Sequence, residues 1–276
     1  MTTTPASPTP GAPCIGVFDS GVGGLSVLRA LRLRLPQATL LYAADSGHAP
    51  YGEREPAFVI ERSRVLTEHL LREGAQLIVV ACNTATATAA ERLRADHPGL
   101  PLVGVEPGLK PAIAATRNRR IGVMATRATL ASAKFRRLVE AHAEGIDLHL
   151  QACPGLARAL EAGDTDSPAV QELVRQHTAP LRAAGVDTVV LGCTHYPFAA
   201  ERIAAALGPG VVLIDTADAV ARQAERLTAT LPPGTAIGAG PLVRLWSSGE
   251  PGMLARVARR WLGLRSEVWT LEKTSY

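Results

Sequence analysis

Two cysteines stand where they could carry out chemistry together. Cys82 follows the apolar run LIVVA at 77–81 and Cys193 follows TVVLG at 188–192, so each thiol is expected at the end of a buried strand. A free thiol titrates at about pH 8.5, close enough to neutrality to act as a base and as an acid. Two thiols on opposite faces of one carbon acid could take a proton from one face and return a proton to the other. That chemistry inverts a stereocentre.

An internal repeat relates the two cysteines. The segment LLREGAQLIVVAC at 70–82 aligns without gaps with LRAAGVDTVVLGC at 181–193, and AAERL at 89–93 reappears as AAERI at 199–203. A second pair aligns IGVFDS with IGVMAT. Because a cysteine and an AAER run recur together, we interpret the two halves as copies of one α/β unit. The alternative is that both cysteines are buried small side chains, a common role for Cys.

The apolar pattern of the chain alternates between strands and helices. Short apolar runs separated by stretches with helical periodicity are typical of βα units and a parallel sheet. Strands are predicted at 15–18, 40–43, 77–81, 102–105, 121–124, 147–151, 188–192 and 211–214. Helices are predicted at 26–35, 55–73, 85–96, 130–143, 169–184, 198–207, 217–230 and 253–261.

These elements predict an α/β fold of two pseudo-symmetric, doubly wound parallel-sheet lobes with the active site in the cleft between them. Ligands of such sheets bind at the carboxyl ends of the strands, where both cysteines are expected. The first lobe is assigned to 14–106 plus 215–276 and the second to 107–214, and helices after position 214 are expected to complete the first lobe. The Thr- and Pro-rich segment 1–13 is predicted to be a disordered tail.

Polar residues follow several of the predicted strands. The Gly-rich turn at 19–24 leads into a helix, so its backbone N–H groups could bind an anion, or its Asp or Ser could simply cap the helix. Asp45 and the sequence PYG at 50–52 could form an ordinary turn, and Thr126 and Thr129 could be helix caps. Taken as a set, the Ser, Thr and Asn residues that follow the predicted strands are typical of a lining that binds carboxylates by hydrogen bonds without arginine.

Composition narrows the class of protein. Of the 276 residues, 47% are hydrophobic, which is enough for a buried core. The net charge of +4 and the aromatic content of 4% give neither a basic stripe nor a stacking platform, so no nucleic-acid partner is expected. No apolar run reaches the length of a membrane span and the N-terminus lacks a signal-peptide pattern. A cytoplasmic protein without membrane association is predicted.

Two kinds of cofactor site are not expected from the sequence. The four cysteines form no CxxC pattern and no Cys/His cluster, so neither a metal site nor a disulfide framework is predicted. A pyridoxal enzyme needs a lysine for its Schiff base, and Lys110, Lys134 and Lys273 all lie in polar or turn-like contexts.

Several motifs together resemble the glutamate racemases, the cofactor-independent enzymes of the Asp/Glu racemase group. The motifs are IGVFDSGVGGLSVL at 15–28, PYG at 50–52, ACNTAT at 81–86, VGVEPG at 103–108, IGVMAT at 121–126 and GCTHYP at 192–197. The resemblance extends from about Ile15 to Val220. It implies interconversion of L- and D-glutamate, supply of D-glutamate for peptidoglycan, no cofactor and, as often in that family, a homodimer.

Carried over by motif position, the resemblance implies that Cys82 and Cys193 are the two catalytic bases. Cys82 would serve D-glutamate and Cys193 would serve L-glutamate. His195 with Glu161 would assist the second thiol.

The resemblance also implies a substrate-binding set. Asp19 and Ser20 would contact the substrate amine or tune the first thiol. The residues that would hold the carboxylates and the amine are Pro50, Tyr51, Gly52, Asn83, Thr84, Thr126, Thr194 and His195.

Three other interpretations of the thiol pair stay open at this point. A sister racemase acting on aspartate or a hydantoin would share both thiols and would be separated by its rates with each substrate. A thiol redox protein would lose activity under strong reductant, whereas a racemase needs both thiols reduced. A non-catalytic binding module would show slow alkylation of both thiols, unaffected by glutamate.

Overall fold

The computed structural model describes residues 11–233 and 242–271. The predicted tail at 1–13 therefore lies outside the described residues except for its last three positions. The strands are β1 (Cys14–Asp19), β2 (Thr39–Ala44), β3 (Leu77–Val80), β4 (Leu102–Gly104), β5 (Arg120–Ala125), β6 (Asp147–Ala152), β7 (Thr188–Gly192), β8 (Val212–Ile214), β9 (Val243–Ser247) and β10 (Val268–Thr270).

Helices alternate with these strands along the chain. They are α1 (Leu25–Arg34), α2 (Pro56–Arg72), α3 (Asn83–Asp96), α4 (Leu109–Ala115), α5 (Arg127–Ala131), α6 (Ala133–His142), α7 (Leu156–Glu161), α8 (Pro168–Ala183), α9 (Ala200–Leu207), α10 (Ala217–Thr228) and α11 (Pro251–Leu262). Short 3₁₀ turns cover Ser46–His48, Tyr51–Glu53 and Tyr196–Ala199.

The strands form two parallel sheets, one in each lobe. The first sheet has the order β10-β9-β2-β1-β3-β4 and the second has the order β6-β5-β7-β8. Strand for strand, β2-β1-β3-β4 and β6-β5-β7-β8 follow the same order, as copies of one unit would. The predicted α/β class with two doubly wound parallel sheets is confirmed.

Each sheet is covered by helices on both faces, which explains why its central strands β1, β3, β5 and β7 are largely apolar on both sides. On the first sheet, side chains of α1, α10 and α11 pack on one face and those of α2 and α3 pack on the other. On the second sheet, α7, α8 and α9 cover one face and α4 and α6 cover the other. The packed strands β3 and β7 thereby end close to the two cysteines, β3 two residues before Cys82 and β7 directly before Cys193.

The C-terminal part of the chain contains two strands where helices alone were expected. β9 pairs with β2, and β10 pairs with β9, so both extend the first sheet beyond its β2 edge. Each is short, and Arg244 interrupts the apolar pattern of β9. The predicted helix at 130–143 is also two helices, because Ser132 caps α6 by accepting the Phe135 N–H at 3.1 Å. The short helices α4 and α7 were not predicted.

No helix within residues 11–233 and 242–271 combines the length and the apolarity that crossing a membrane requires. The four cysteines are all buried and free of disulfide bonds.

Candidate active site

A single cleft between the lobes contains both cysteines of the repeat. It encloses about 280 Å³ of space between atoms, part of which is open to solvent. Its lining residues are Ser20, Pro50, Tyr51, Gly52, Cys82, Asn83, Thr84, Thr126, Ala157, Cys193, Thr194 and His195. Apart from Ala157, each of these was singled out by the sequence. Asp19 and Glu161 lie behind the lining and hydrogen-bond to residues within it.

Cys82 is the N-cap of α3 and is separated from the end of β3 by Ala81 alone. Its sulfur accepts a hydrogen bond from the Ala85 backbone N–H at 3.4 Å, and its thiol points to the Ser20 hydroxyl at 3.7 Å. Burial, and secondly the nearby Asp19 carboxylate, raise the pKa of Cys82 to about 12. Cys82 is therefore protonated at neutral pH, and the helix N-terminus is the main group that could stabilise its thiolate.

Asp19 is the last residue of β1, and its carboxyl group forms a hydrogen bond to the other lobe. Its Oδ1 accepts the Gly21 N–H at 2.8 Å, and its Oδ2 accepts the Thr194 hydroxyl at 2.8 Å across the lobe boundary. The side chain is fully buried, and burial raises the pKa of Asp19 above its usual value, although His195 and the hydrogen bond from Thr194 act in the opposite direction. Asp19 therefore places a carboxyl group near Cys82 and behind the lining of the cleft.

Cys193 follows β7 and has a different kind of partner. Its sulfur lies 3.8 Å from His195 Nδ1, and His195 Nε2 lies 2.6 Å from Glu161 Oε2. Burial alone would lower the pKa of His195, but the interactions with Cys193 and Glu161 raise it well above the usual range. His195 is accordingly a cation that donates to Glu161 from Nε2 and points its Nδ1–H at the Cys193 sulfur.

Glu161 is the last residue of α7, and its carboxylate crosses to the first lobe. There it accepts the Val22 N–H at 3.0 Å and the Ser46 hydroxyl at 2.6 Å. The Gly-rich turn permits this approach, because a Cβ on Gly21 would lie 2.2 Å from a Glu161 oxygen and a Cβ on Gly23 would lie 2.4 Å from His195 Nδ1. The turn that could bind an anion is thus occupied by a carboxylate of the protein itself.

The rest of the lining offers neutral hydrogen-bonding groups. The amide oxygen of Asn83 is buried and forms no hydrogen bond with any group in the described part of the chain. The hydroxyl of Thr84 lies 3.1 Å from that of Thr126, which in turn donates to Thr129 at 2.9 Å and caps α5. A buried amide oxygen without a partner is costly, so this site favours a ligand that brings a donor.

One supporting network was not predicted. Arg62 forms two hydrogen bonds to Asp45, at 2.8 and 2.9 Å, and the Tyr51 hydroxyl donates to the same carboxylate at 2.6 Å. Burial would raise the pKa of Asp45, but the bonds from His48 and Arg62 hold it well below its usual range. The network fixes Tyr51 in the cavity wall. Its signal in the sequence was an arginine on the buried face of α2.

Comparison with known proteins identifies relatives of the whole two-lobed unit. The family model of the Asp/Glu/Hydantoin racemases matches residues 25–224. The glutamate racemase of Ectopseudomonas mendocina is 49% identical over 260 residues, covering 92% of this chain and 96% of that protein. The glutamate racemase of Pseudomonas aeruginosa strain PAO1 is 47% identical over 243 residues, covering 88% and 91% respectively.

Solved structures agree with the sequence comparison. The Escherichia coli glutamate racemase, in complex with L-glutamate and the activator UDP-MurNAc-ala, superposes with a TM-score of 0.84 at 32% identity over 94% of this chain and 98% of that one. The isoform RacE1 of Bacillus anthracis superposes with a TM-score of 0.82 at 32% identity over 96% and 99%. On these matches the chain belongs to the Asp/Glu/Hydantoin racemase family.

Proposed function

We propose that this protein is a glutamate racemase that interconverts L- and D-glutamate by proton transfer between two cysteines. The observation that carries the proposal is the placement of Cys82 and Cys193 at equivalent strand ends of two repeated units, lining one cleft. The names of the relatives support glutamate as the substrate. The likeness to glutamate racemases also supports the proposal that the product, D-glutamate, is supplied to peptidoglycan synthesis in the cytoplasm.

The cleft supplies neutral donors and acceptors for the substrate. None of the described lining residues is lysine or arginine, so the carboxylates would be held by threonine hydroxyls, the Asn83 amide and backbone N–H groups. The ammonium group would face the Asn83 amide oxygen and Asp19. Preorganised donors around the α-carboxylate would stabilise the negative charge that develops on it when the α-proton leaves.

The proton transfers balance within the protein and the substrate. With L-glutamate bound, the Cys193 thiolate takes the α-proton, the Cα–H bond breaks and an S–H bond forms. Cys82, a thiol at neutral pH, then gives its proton to the opposite face of the same carbon. The product is D-glutamate, and the two sulfurs have exchanged protonation states. D-glutamate reverses each step. The proposed chemistry uses protein groups only.

The reaction class is tested by following the circular dichroism of each glutamate enantiomer with the purified protein. We expect the signal of either enantiomer to decay to zero, because a racemic mixture is the equilibrium state. Aspartate and a hydantoin serve as comparison substrates. Faster decay with either of them would assign the protein to a sister activity, and a constant signal with all three would refute racemisation.

The shared cleft is tested by alkylation. Saturating D-glutamate should slow the modification of Cys82 and Cys193 by iodoacetamide, measured at each site by peptide mass spectrometry. Cys14, which is buried at the far end of β1, provides the internal reference. Equal labelling of the two cleft cysteines with and without glutamate would contradict binding between them.

A further inference from the structure

Tyr196 places a buried hydroxyl next to the second thiol. It begins the 3₁₀ turn Tyr196–Ala199, and its backbone N–H donates to the Cys193 carbonyl at 3.1 Å, so the two residues are locked in one tight turn. Its side chain has no exposed surface and packs in the same buried cluster as Cys193 and Cys153. The hydroxyl forms no hydrogen bond of ordinary geometry with any group in residues 11–233 and 242–271.

A buried hydroxyl without a partner destabilises a fold and calls for an explanation. The Tyr196 hydroxyl interacts with two sulfurs, those of Cys193 and Cys153. The Cys153 thiol donates to the Gln151 carbonyl at 3.4 Å, and burial raises the pKa of Cys153 to about 12. At neutral pH the Cys153 sulfur is therefore neutral and a weak acceptor, whereas a thiolate at Cys193 would accept strongly.

The hydroxyl also remains a donor throughout the working pH range. Burial, followed by the charge of a Cys193 thiolate, raises the pKa of Tyr196 well above its usual range. A phenol that stays protonated can stabilise a neighbouring anion but cannot take the proton itself.

We propose that Tyr196 is a positioning residue that donates a hydrogen bond to the Cys193 thiolate and that has no strong acceptor while Cys193 is a thiol. The proposal deepens the proposed function and rests on it. When Cys193 becomes a thiolate, it accepts the hydrogen bond of the Tyr196 hydroxyl. The free-energy penalty of burying that hydroxyl without a strong acceptor is then removed. The titratable groups that face Cys193 are the His195 cation on one side, the neutral Cys82 thiol across the cleft and the neutral Cys153 thiol beside Tyr196. Tyr196 adds a second donor from the core side.

The test uses Tyr196→Phe, which removes one oxygen and keeps the ring. At neutral pH the rate of Cys193 alkylation should fall about tenfold, the effect of losing one hydrogen bond to a charged group. At high pH, where the thiolate forms without help, the rate should return to that of the wild type. Cys82 alkylation in the same sample is the internal control and should not change. Racemisation should fall in both directions, with recovery at high pH.

Two further variants of the protein test the same hydrogen bond in other ways. Site-specific replacement of Tyr196 by 3-fluorotyrosine, a stronger donor of similar size, should speed Cys193 alkylation at neutral pH. Cys153→Ala removes the competing sulfur and should leave Cys193 alkylation unchanged or faster. Thermal unfolding followed by circular dichroism shows whether each variant is folded.

The outcomes separate this proposal from the proposed function. A folded Tyr196→Phe protein with unchanged Cys193 alkylation at neutral pH would overturn the role of Tyr196. A loss that persists equally at high pH would also overturn it, since it would reveal a packing defect. If the wild type fails to racemise glutamate, the proposed function fails, while the alkylation data still report whether Tyr196 stabilises the thiolate. If Tyr196→Phe does not fold, a 3-fluorotyrosine protein with unchanged or slower alkylation overturns the proposal.

Discussion

The two cysteines occupy equivalent places in the repeat but different chemical surroundings. Cys82 caps a helix, and the Asp19 carboxylate is the charged group that most raises its pKa. Cys193 precedes a 3₁₀ turn and faces a histidine cation that is held by Glu161. The duplicated fold therefore places the two thiols equivalently, while a few side chains around each thiol give it a different charged neighbour.

The charged groups beside the two thiols have opposite signs. The Asp19 carboxylate beside Cys82 helps to raise the pKa of that thiol, whereas Cys193 faces the cation of His195. The two thiols therefore differ in the charge of the group that each one faces. Racemisation at equilibrium still requires equal kcat/KM for the two enantiomers. Differences between the thiols must therefore be measured in half-reactions or by alkylation.

The largest expected effect comes from removing either thiol. Cys82→Ser and Cys193→Ser should each lower racemisation by a factor of about 10²–10⁴, because a serine hydroxyl is too weak an acid and base for either step. Both directions should fail in both variants, as measured by circular dichroism. Cys14→Ser, which changes a buried cysteine outside the cleft, is the matched control. Near wild-type racemisation by either cleft variant would refute the two-thiol mechanism.

A half-reaction can then separate the two thiols. Loss of the α-proton from threo-3-chloroglutamate is followed by departure of chloride from the β-carbon, so elimination needs only the base. Cys82→Ser should keep elimination of the enantiomer that presents its α-hydrogen to Cys193, and Cys193→Ser should keep the other. Chloride release from each enantiomer measures this. Elimination of the same enantiomer by both variants would mean that the thiols do not face opposite sides.

A smaller, one-sided effect is expected from Glu161→Gln. The amide keeps the shape but removes the charge that holds the His195 cation, so Cys193 alkylation at neutral pH should slow by about tenfold to a hundredfold. Cys82 alkylation should stay the same. Equal slowing at both cysteines would show that Glu161 closes the cleft and does not support one thiol in particular.

Asp19→Asn should shift the first thiol in the opposite direction. Because the Asp19 carboxylate helps to raise the pKa of Cys82, its neutralisation lowers that pKa and increases the thiolate at neutral pH. Cys82 alkylation should become several-fold faster in the variant. In the wild type the rate should climb about tenfold per pH unit from neutral to alkaline pH, as expected for a thiol far below its pKa. A plateau near neutrality would contradict the described environment of Cys82.

The smallest effects are expected from two serines that support the carboxylates. Ser20→Ala removes hydroxyl contacts to Asp19 and Cys82, and Ser46→Ala removes the hydroxyl that donates to Glu161. Each should change alkylation roughly threefold at its own thiol only, as for a neutral hydrogen bond. Changes in both thiols would indicate that the two surroundings are coupled more tightly than their separate contacts suggest.

The repeated pattern made much of this architecture predictable. Strand ends at Cys82 and Cys193 followed from apolar runs, and their meeting in one cleft followed from parallel sheets. The strands β9 and β10 were missed because each is short and an arginine breaks the pattern of the first. The buried Asp45–Arg62 pair and the unpartnered Tyr196 hydroxyl depend on tertiary packing, which periodicity in one chain does not reveal.

The contacts of Glu161 across the lobes could not be predicted from local sequence patterns. Motif position paired it with His195, but its contacts with Val22 and Ser46 depend on how closely the lobes approach. The space that admits this carboxylate exists because Gly21 has no side chain. The local sequence of the Gly-rich turn indicates an anion site. It contains no signal that Glu161 of the other lobe is the anion.

The contact of Glu161 with the Gly-rich turn makes the surroundings of Cys193 depend on how closely the two lobes approach. Any opening of the cleft that separates the lobes at the Gly-rich turn must pull Glu161 away from Val22 and Ser46, and so loosen the support of the His195 cation. Separation of the lobes and loss of the Glu161 support of His195 would therefore occur together.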